Sequence, residues 1–234
     1  MRKIFSVIIP TYNEEKYLPS CLKSILSQTF SRESYEIILV DGFSEDGTVK
    51  LAEEVVDRII VAERRGPGNA RNIGSKMAKG RILLFLDADT IITSNFMENV
   101  HSKFVPGVVG GTCNIYPLEA DPRALALYKL INILYKFLYL VGLPHAQTKC
   151  CFYLRRAFLD AGGFNENLRV AEDQELAWRM SKKGRMVYVN GVAAYSSMRR
   201  EKTKGYVATV IDWVKNYLMV ALIRRSQDIW EPIR

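Results

Sequence analysis

An α/β fold, a mostly parallel sheet flanked by helices, follows from three features of this sequence. Strand-like and helix-like hydrophobic patterns alternate through residue 90, acidic residues fall where strand patterns end, and 234 residues with 48% hydrophobic content suffice for one core. Residues 5–10 read as the first strand. Residues 14–28 read as a helix, with Leu18, Leu22, Ile25 and Leu26 at helical spacing, and 35–40 as the second strand. A helix carrying Val49, Ala52, Val55 and Val56 starts at Asp46 or Thr48, and 58–61 is the third strand. The glycine-containing loop RRGPGNARNIG leads into a helix ending near Lys79 and Gly80, and 82–86 is a buried fourth strand. Such alternation predicts parallel pairing through right-handed crossovers. Strands are further expected at 108–115, 150–154 and 186–189, and helices at 123–142, from 172 onward, and at 205–223.

The fourth strand ends in LDADT. In extended backbone, side chains at i and i+2 point the same way, so Asp87 and Asp89 present both carboxylates to one point while Ala88 turns away. Open α/β sheets bind ligands at the carboxyl ends of their strands. One or two carboxylates plus phosphate oxygens is a usual way to hold Mg²⁺ or a similar ion. The competing reading is that two solvated aspartates merely end a strand.

Composition narrows the remaining classes. The four cysteines (Cys21, Cys113, Cys150 and Cys151) lack the spacing of a zinc site, and an extended Cys150-Cys151 pair points to opposite sheet faces. Free thiols in a reducing cytosol are expected. About six apolar residues precede Pro10 and no small-residue cleavage site follows, so this segment reads as a strand rather than an export signal. His101 and His145 are the two histidines, far apart in sequence, which gives a histidine metal site or a triad little material. A net charge of +8 favours an anionic partner, but without a recognisable nucleic-acid module and with the basic residues spread along the chain.

Five ordered segments, VIIPTYNEEKYLPSCLKSILSQ, VDGFSEDGT, GPGNARNIG, LDADT and AGGFNENLRVAEDQELAWRM, together resemble the family 2 nucleotide-sugar glycosyltransferases of the GT-A fold. The segment Ser197-Met198-Arg199-Arg200 before an apolar helix is similar to short members that associate with membranes. The resemblance implies one GT-A domain over residues 1–204, with a nucleotide-binding half (1–90) and an acceptor half (91–204), followed by an amphipathic helix and tail (205–234). It implies that Pro10, Thr11, Tyr12 and Glu14 surround the nucleotide, with Glu14 near the base or ribose and Asp41 accepting from the base edge. The amides from Thr11 to Glu14, at a strand end and a helix start, suit ribose or phosphate oxygens. Gly66 and Arg71 belong to the donor site, Arg71 reaching the diphosphate. Asp87 touches ribose or acts through water, Asp89 holds Mn²⁺ or Mg²⁺, and Asp173, beside Glu172, is the catalytic base. Members often supply a late histidine to the metal. This chain has none after His145, so Ser197, Arg199 or Arg200 would serve instead, arginine neutralising the diphosphate directly.

Each role has a plainer competitor. Thr11 to Glu14 is also an ordinary helix cap, Ser-Glu-Asp-Gly is ordinary turn chemistry with Asp46 as a cap, Arg71 is also an exposed helical arginine, and two acids at 172 and 173 complement a helix dipole. That dipole is expected to depress the pKa of Asp173. With one base and no enzyme nucleophile on offer, the expected reaction is a single displacement that inverts the anomeric carbon. A non-catalytic nucleotide-sugar-binding module or a nucleotidyltransferase is the alternative. The latter calls for a glycine-rich, lysine-containing loop after the first strand, where this chain has TYNEE.

Two helices speak to the acceptor. In residues 124–143, Lys129, Asn132 and Lys136 form one polar stripe on an otherwise apolar helix whose two lysines disfavour a spanning role. An interfacial helix is expected, with Tyr128, Tyr135 and Tyr139 at headgroup depth. The segment 206–225 repeats the design with Asp212, Lys215 and Asn216 on one face, behind a basic cluster of Arg199, Arg200, Lys202 and Lys204. These features imply a lipid-linked or membrane acceptor and a cytoplasmic protein peripherally bound to the inner face of the cell membrane. The competing reading packs the apolar faces on the sheet or across a homodimer.

Overall fold

The computed structural model describes residues 3–119, 121–168 and 170–223. Eight strands and nine α-helices occur among them. The strands are β1 (Phe5–Thr11), β2 (Tyr35–Asp41), β3 (Arg58–Val61), β4 (Ile82–Leu86), β5 (Thr90–Ile92), β6 (Val108–Pro117), β7 (Cys150–Leu154) and β8 (Arg185–Ser196). The helices are α1 (Leu18–Leu26), α2 (Thr48–Ala52), α3 (Pro67–Met77), α4 (Phe96–Lys103), α5 (Pro122–Leu140), α6 (Arg155–Asp160), α7 (Glu172–Ser181), α8 (Arg199–Lys204) and α9 (Tyr206–Ile223). One sheet runs in the order β3-β2-β1-β4-β7-β6-β8-β5.

The first half is parallel as expected, with β2, β1 and β4 in register through Tyr35, Phe5 and Ile82. The second half is mixed, so that four of the sheet's seven pairings are parallel. β7 lies antiparallel to both β4 and β6, β8 is parallel to β6, and β5 is antiparallel to β8. β5, α6 and α8 are short elements whose few residues carry no readable period, and α4, with Phe96, Met97 and Val100 buried, is a further helix outside the sequence expectation.

Strand alternation divides the core into two faces. Val7, Ile9, Ile37, Leu39, Leu84 and Cys150 pack on one side with α1 and α4, and Ile8, Ile38, Val40, Phe85 and Cys151 on the other with α6 and α7. The adjacent cysteines therefore do point to opposite faces, and all four thiols are free and buried. The carboxyl ends of β1, β2 and β4 converge on one edge, where the acidic residues lie.

Two helix starts differ from the sequence reading. α1 begins at Leu18 rather than at residue 14, because Pro19 tolerates only the first turn, where its missing N–H costs nothing. Pro67 likewise opens α3, so most of the GPGNARN segment is helix rather than loop. Gly66 precedes it with φ of 102°, a conformation that favours glycine.

In α5 part of the polar stripe turns inward and the apolar face turns outward. Asn132 is buried, its side chain accepting from the N–H of Ile115 and donating to the carbonyl of Ile115. Leu130, Ile133, Phe137 and Leu140 are exposed instead, Leu140 at 85%. The polar stripe is also divided, since Lys129 is exposed and Lys136 sits over the Tyr188 ring. The three tyrosines expected at headgroup depth all pack against protein groups. Tyr128 is buried, Tyr135 stacks on His145, and Tyr139 packs edge-on against Tyr188. In α9, Asn216 is buried while Lys215 is exposed, so these two do not share one solvent face. No described helix is long and apolar enough to cross a membrane. Residues 224–234, including the expected tail and Arg224-Arg225, lie outside the described residues.

Candidate active site

A cavity of about 1120 Å³ opens at the carboxyl edge of β1, β2 and β4 and is lined by Pro10, Thr11, Tyr12, Glu14, Asp41, Gly66, Arg71, Asp87, Asp89, Glu172, Asp173 and Arg199. The fold thus brings into one cavity every sequence-predicted site residue except Arg200, whose side chain lies outside the described ones.

At one end, Asp41 accepts from Thr11 Oγ1 at 2.9 Å and from the backbone and hydroxyl of Ser44 at 2.8 and 2.6 Å. A carboxylate has about four acceptor positions, so one stays available to a ligand N–H. Arg64 lies over the Tyr12 ring at 4.1 Å. Two of the loop amides expected to face ribose or phosphate are engaged elsewhere. The Asn13 N–H donates to Ser44 Oγ and the Glu14 N–H to Thr48 Oγ1, which locks the loops after β1 and β2 together. Asp46 accepts from the Thr48 N–H in a turn just before α2, whose N-cap position is Gly47 rather than Asp46.

Asp87 and Asp89 reach the cavity through a turn, closed by the Thr90 N–H donating to the Asp87 carbonyl, and not through continued strand. Ala88 still turns away into the core. Asp89 Oδ2 lies 3.1 Å from Arg199 Nη2, and the same guanidinium donates twice to Glu14, at 3.0 and 2.8 Å. The Glu14 carboxylate is therefore paired with Arg199 beside Asp89. Burial pushes the Asp89 carboxyl up to about 6, against the downward pull of Arg199.

Arg71 departs furthest from expectation. Its side chain is 2% exposed, and it donates from Nη2 to Asp87 at 2.6 Å and from Nη1 to Glu172 at 3.1 Å. It is neither an exposed helical arginine nor a free fork for a diphosphate. It clamps an acid after β4 to an acid that opens α7. Its neighbours on α3 do related work. Asn72 donates to the Phe164 carbonyl and to Glu166 and accepts the Phe164 N–H, while Asn69 donates to Glu166. The GPGNARN and GGFNEN segments are thus two sides of one contact.

Asp173 accepts the N–H of Thr148 at 3.0 Å and of Gln174 at 2.8 Å. Its pKa is raised, not depressed as the helix dipole suggested, because burial outweighs those two N–H donors. Glu172 is pushed up to about 7 by burial and then by Asp173, with Arg71 pulling it down. Ala171, just before this pair, has φ of 58°, an unfavourable conformation for a residue with a side chain.

Sequence reasoning missed a second buried group. Tyr128 donates to Glu201 at 2.7 Å and accepts from Lys149 Nζ at 2.8 Å. Burial pulls the Lys149 pKa down, but Tyr128 and Glu201 hold it above the usual lysine range, and Asp89 adds to this. The only local signal was a lysine directly before a buried apolar run; its position follows from the antiparallel pairing of β7 with β4. The expected basic cluster is not one free patch. Arg199 faces the site, Lys202 pairs with Glu119, and Lys204 with Asp212.

Among the described residues, no group of three or more His, Cys, Asp or Glu side chains could hold a metal. Asp87 and Asp89 nonetheless supply two hard oxygen donors at the cavity, a set that suits a divalent ion drawing its other ligands from phosphate and water.

A parallel sheet half with acids at its carboxyl edge, joined to a mixed half that closes the cavity, is the architecture of the GT-A glycosyltransferases. Residues 6–162 match the model of glycosyl transferase family 2, and the chain belongs to that family. It is 29% identical over 249 residues to the minor teichoic acid biosynthesis protein GgaB of Bacillus subtilis, an alignment covering 98% of this chain and 27% of GgaB. It is 35% identical over 101 residues to the poly(ribitol-phosphate) β-N-acetylglucosaminyltransferase TarS of Staphylococcus aureus, covering 41% of this chain and 18% of TarS. The structure of TarS residues 1–349 in complex with UDP-GlcNAc superposes with a TM-score of 0.69 at 25% identity, over 83% of this chain and 58% of that one. The Pyrobaculum calidifontis mannosyltransferase PcManGT, solved with GDP-Man and Mn²⁺, shares the fold with a TM-score of 0.69 at 21% identity, over 92% of this chain and 65% of that one. The chain spans well under two thirds of the length of GgaB and of TarS.

Proposed function

We propose that this chain is a glycosyltransferase that moves a sugar from a UDP- or GDP-linked donor to an acceptor hydroxyl, with inversion. The observation that carries the reading is the convergence of Asp41, Asp87, Asp89, Arg199 and Asp173 on one cavity. In this reading residues 1–90 hold the donor, 91–204 shape the acceptor side, and the segment from 205 onward associates with a membrane. Asp41 accepts from the base. Asp173 takes the acceptor hydroxyl proton, the oxygen bonds to the anomeric carbon, and the bond to the diphosphate breaks with its electron pair passing to the phosphate oxygen. Arg199 and Lys149 neutralise the departing diphosphate, and Arg71 holds Asp87 and Glu172 in place. Asp89 and Asp87 would hold Mn²⁺ or Mg²⁺, which supplies further positive charge there when bound.

The acceptor is lipid-linked or membrane-associated, and the protein sits in the cytoplasm against the inner face of the membrane. The exposed apolar face of α5 supports this, as does the likeness to GgaB, a minor teichoic acid biosynthesis protein. The test is a panel of UDP- and GDP-sugars with and without Mn²⁺, read by donor-dependent thermal shift and by release of nucleoside diphosphate. A donor that stabilises the protein and is turned over supports the reading. Absence of stabilisation by every donor removes it.

A further inference from the structure

The cavity continues past Asp173 into a cleft between α5 and α9. Leu127, Ile131, Leu134 and Leu138 line one wall at helical spacing, and Val210 and Val214, four residues apart, line the other. We propose that this cleft holds the aliphatic chain of an amphiphilic acceptor whose polar head reaches Asp173, an inference that rests on the transferase reading. Three observations identify the occupant.

The cavity, at about 1120 Å³, exceeds the roughly 300–1,000 Å³ of ordinary small-molecule sites, leaving room for a second substrate beside a nucleotide sugar. Its lining joins Asp173 and Lys149 to an aliphatic wall on α5, while α9 adds Val210 and Val214 together with Asp212 and Asn216, a mixture that matches a charged or hydroxylated head on an apolar chain. Tyr128 and Asn132 pin the polar side of α5 to Glu201 and to β6, so its leucines are held away from the sheet. The cleft also lies on the helix that exposes Leu130, Ile133, Phe137 and Leu140, which places apolar side chains next to its opening. At the junction His145 stacks on Tyr135 with ring centroids 4.1 Å apart, and burial keeps it neutral at physiological pH.

The test titrates the full chain with dodecyl phosphate below its micellar concentration, with ethyl phosphate for comparison. Dodecyl phosphate is expected to bind at least 10-fold more tightly. Ile131→Trp, which fills the cleft, and Leu134→Trp at its mouth should each remove that advantage while UDP or GDP affinity stays at the wild-type value, which also reports folding. Leu140→Gln on the outer face should bind as wild type. Equal affinity for the two phosphates, or wild-type dodecyl phosphate binding by both tryptophan variants, overturns the proposal. Loss of binding in Leu140→Gln alone means adsorption on the outer face and overturns it as well. If dodecyl phosphate binds in the cleft but no nucleotide sugar binds, the cleft stands and the transferase reading falls; the reverse pattern removes the cleft alone.

Discussion

Replacing Arg71 with methionine separates its two readings. The guanidinium is 2% exposed and pairs with Glu172, 7% exposed, and Asp87, 28% exposed. Removing one partner of a buried ion pair costs about 3–5 kcal/mol, because the remaining charge is left uncompensated. For a domain of this size, about 2–4 °C per kcal/mol lowers the thermal midpoint by roughly 6–20 °C. The deficit should depend on pH. Burial already raises the Glu172 carboxyl from 4.5 to about 7, so its favourable contribution is full below the unfolded value and is lost as pH rises through 7. Without Arg71 that pKa climbs further, so the variant should be least destabilised near pH 5 and most destabilised near pH 8. Thermal unfolding followed by circular dichroism without nucleotide measures this. A midpoint within about 2 °C of wild type at pH 8, together with weakened UDP or GDP binding, would refute the clamp and restore Arg71 as a diphosphate ligand.

Further predictions concern the acids and the membrane. Asp89→Ala should abolish any gain in nucleoside diphosphate affinity from Mn²⁺, measured by isothermal titration; an unchanged gain removes Asp89 as a metal ligand. Asp173→Asn should keep donor affinity and lose transfer by roughly 10²-fold or more; wild-type turnover would exclude it as the base. Because burial raises Asp173 and Glu172, kcat/KM should rise with pH as this pair loses protons, with Glu172 at about 7, and Glu172→Gln should move that limb to lower pH. An unshifted limb assigns the ionisation elsewhere. In flotation with liposomes, replacing Leu130, Ile133, Phe137 and Leu140 with glutamine should release the protein, whereas Lys202→Glu should have a small effect because Lys202 already pairs with Glu119. Retention of the quadruple variant would argue against α5 as the contact.

The parallel half of the sheet was legible in the residues alone. The strands before Asp41 and Asp87 are continuous apolar runs that only a buried sheet accommodates, and their acidic ends are placed by chain connectivity. The start of α7 at Glu172 was legible for a similar local reason, two acids opening an amphipathic period. What those side chains meet came from the tertiary fold. Arg71 and Glu172 are 101 residues apart, Arg199 and Glu14 are 185 apart, and no local pattern records such pairs. The orientation of α5 was equally hidden. β7 pairs with β6 only as far as Thr112, and Asn132 takes up the N–H and carbonyl of Ile115 beyond that point. Satisfying that N–H and carbonyl turns Asn132 inward and leaves the opposite, apolar face of α5 to another partner.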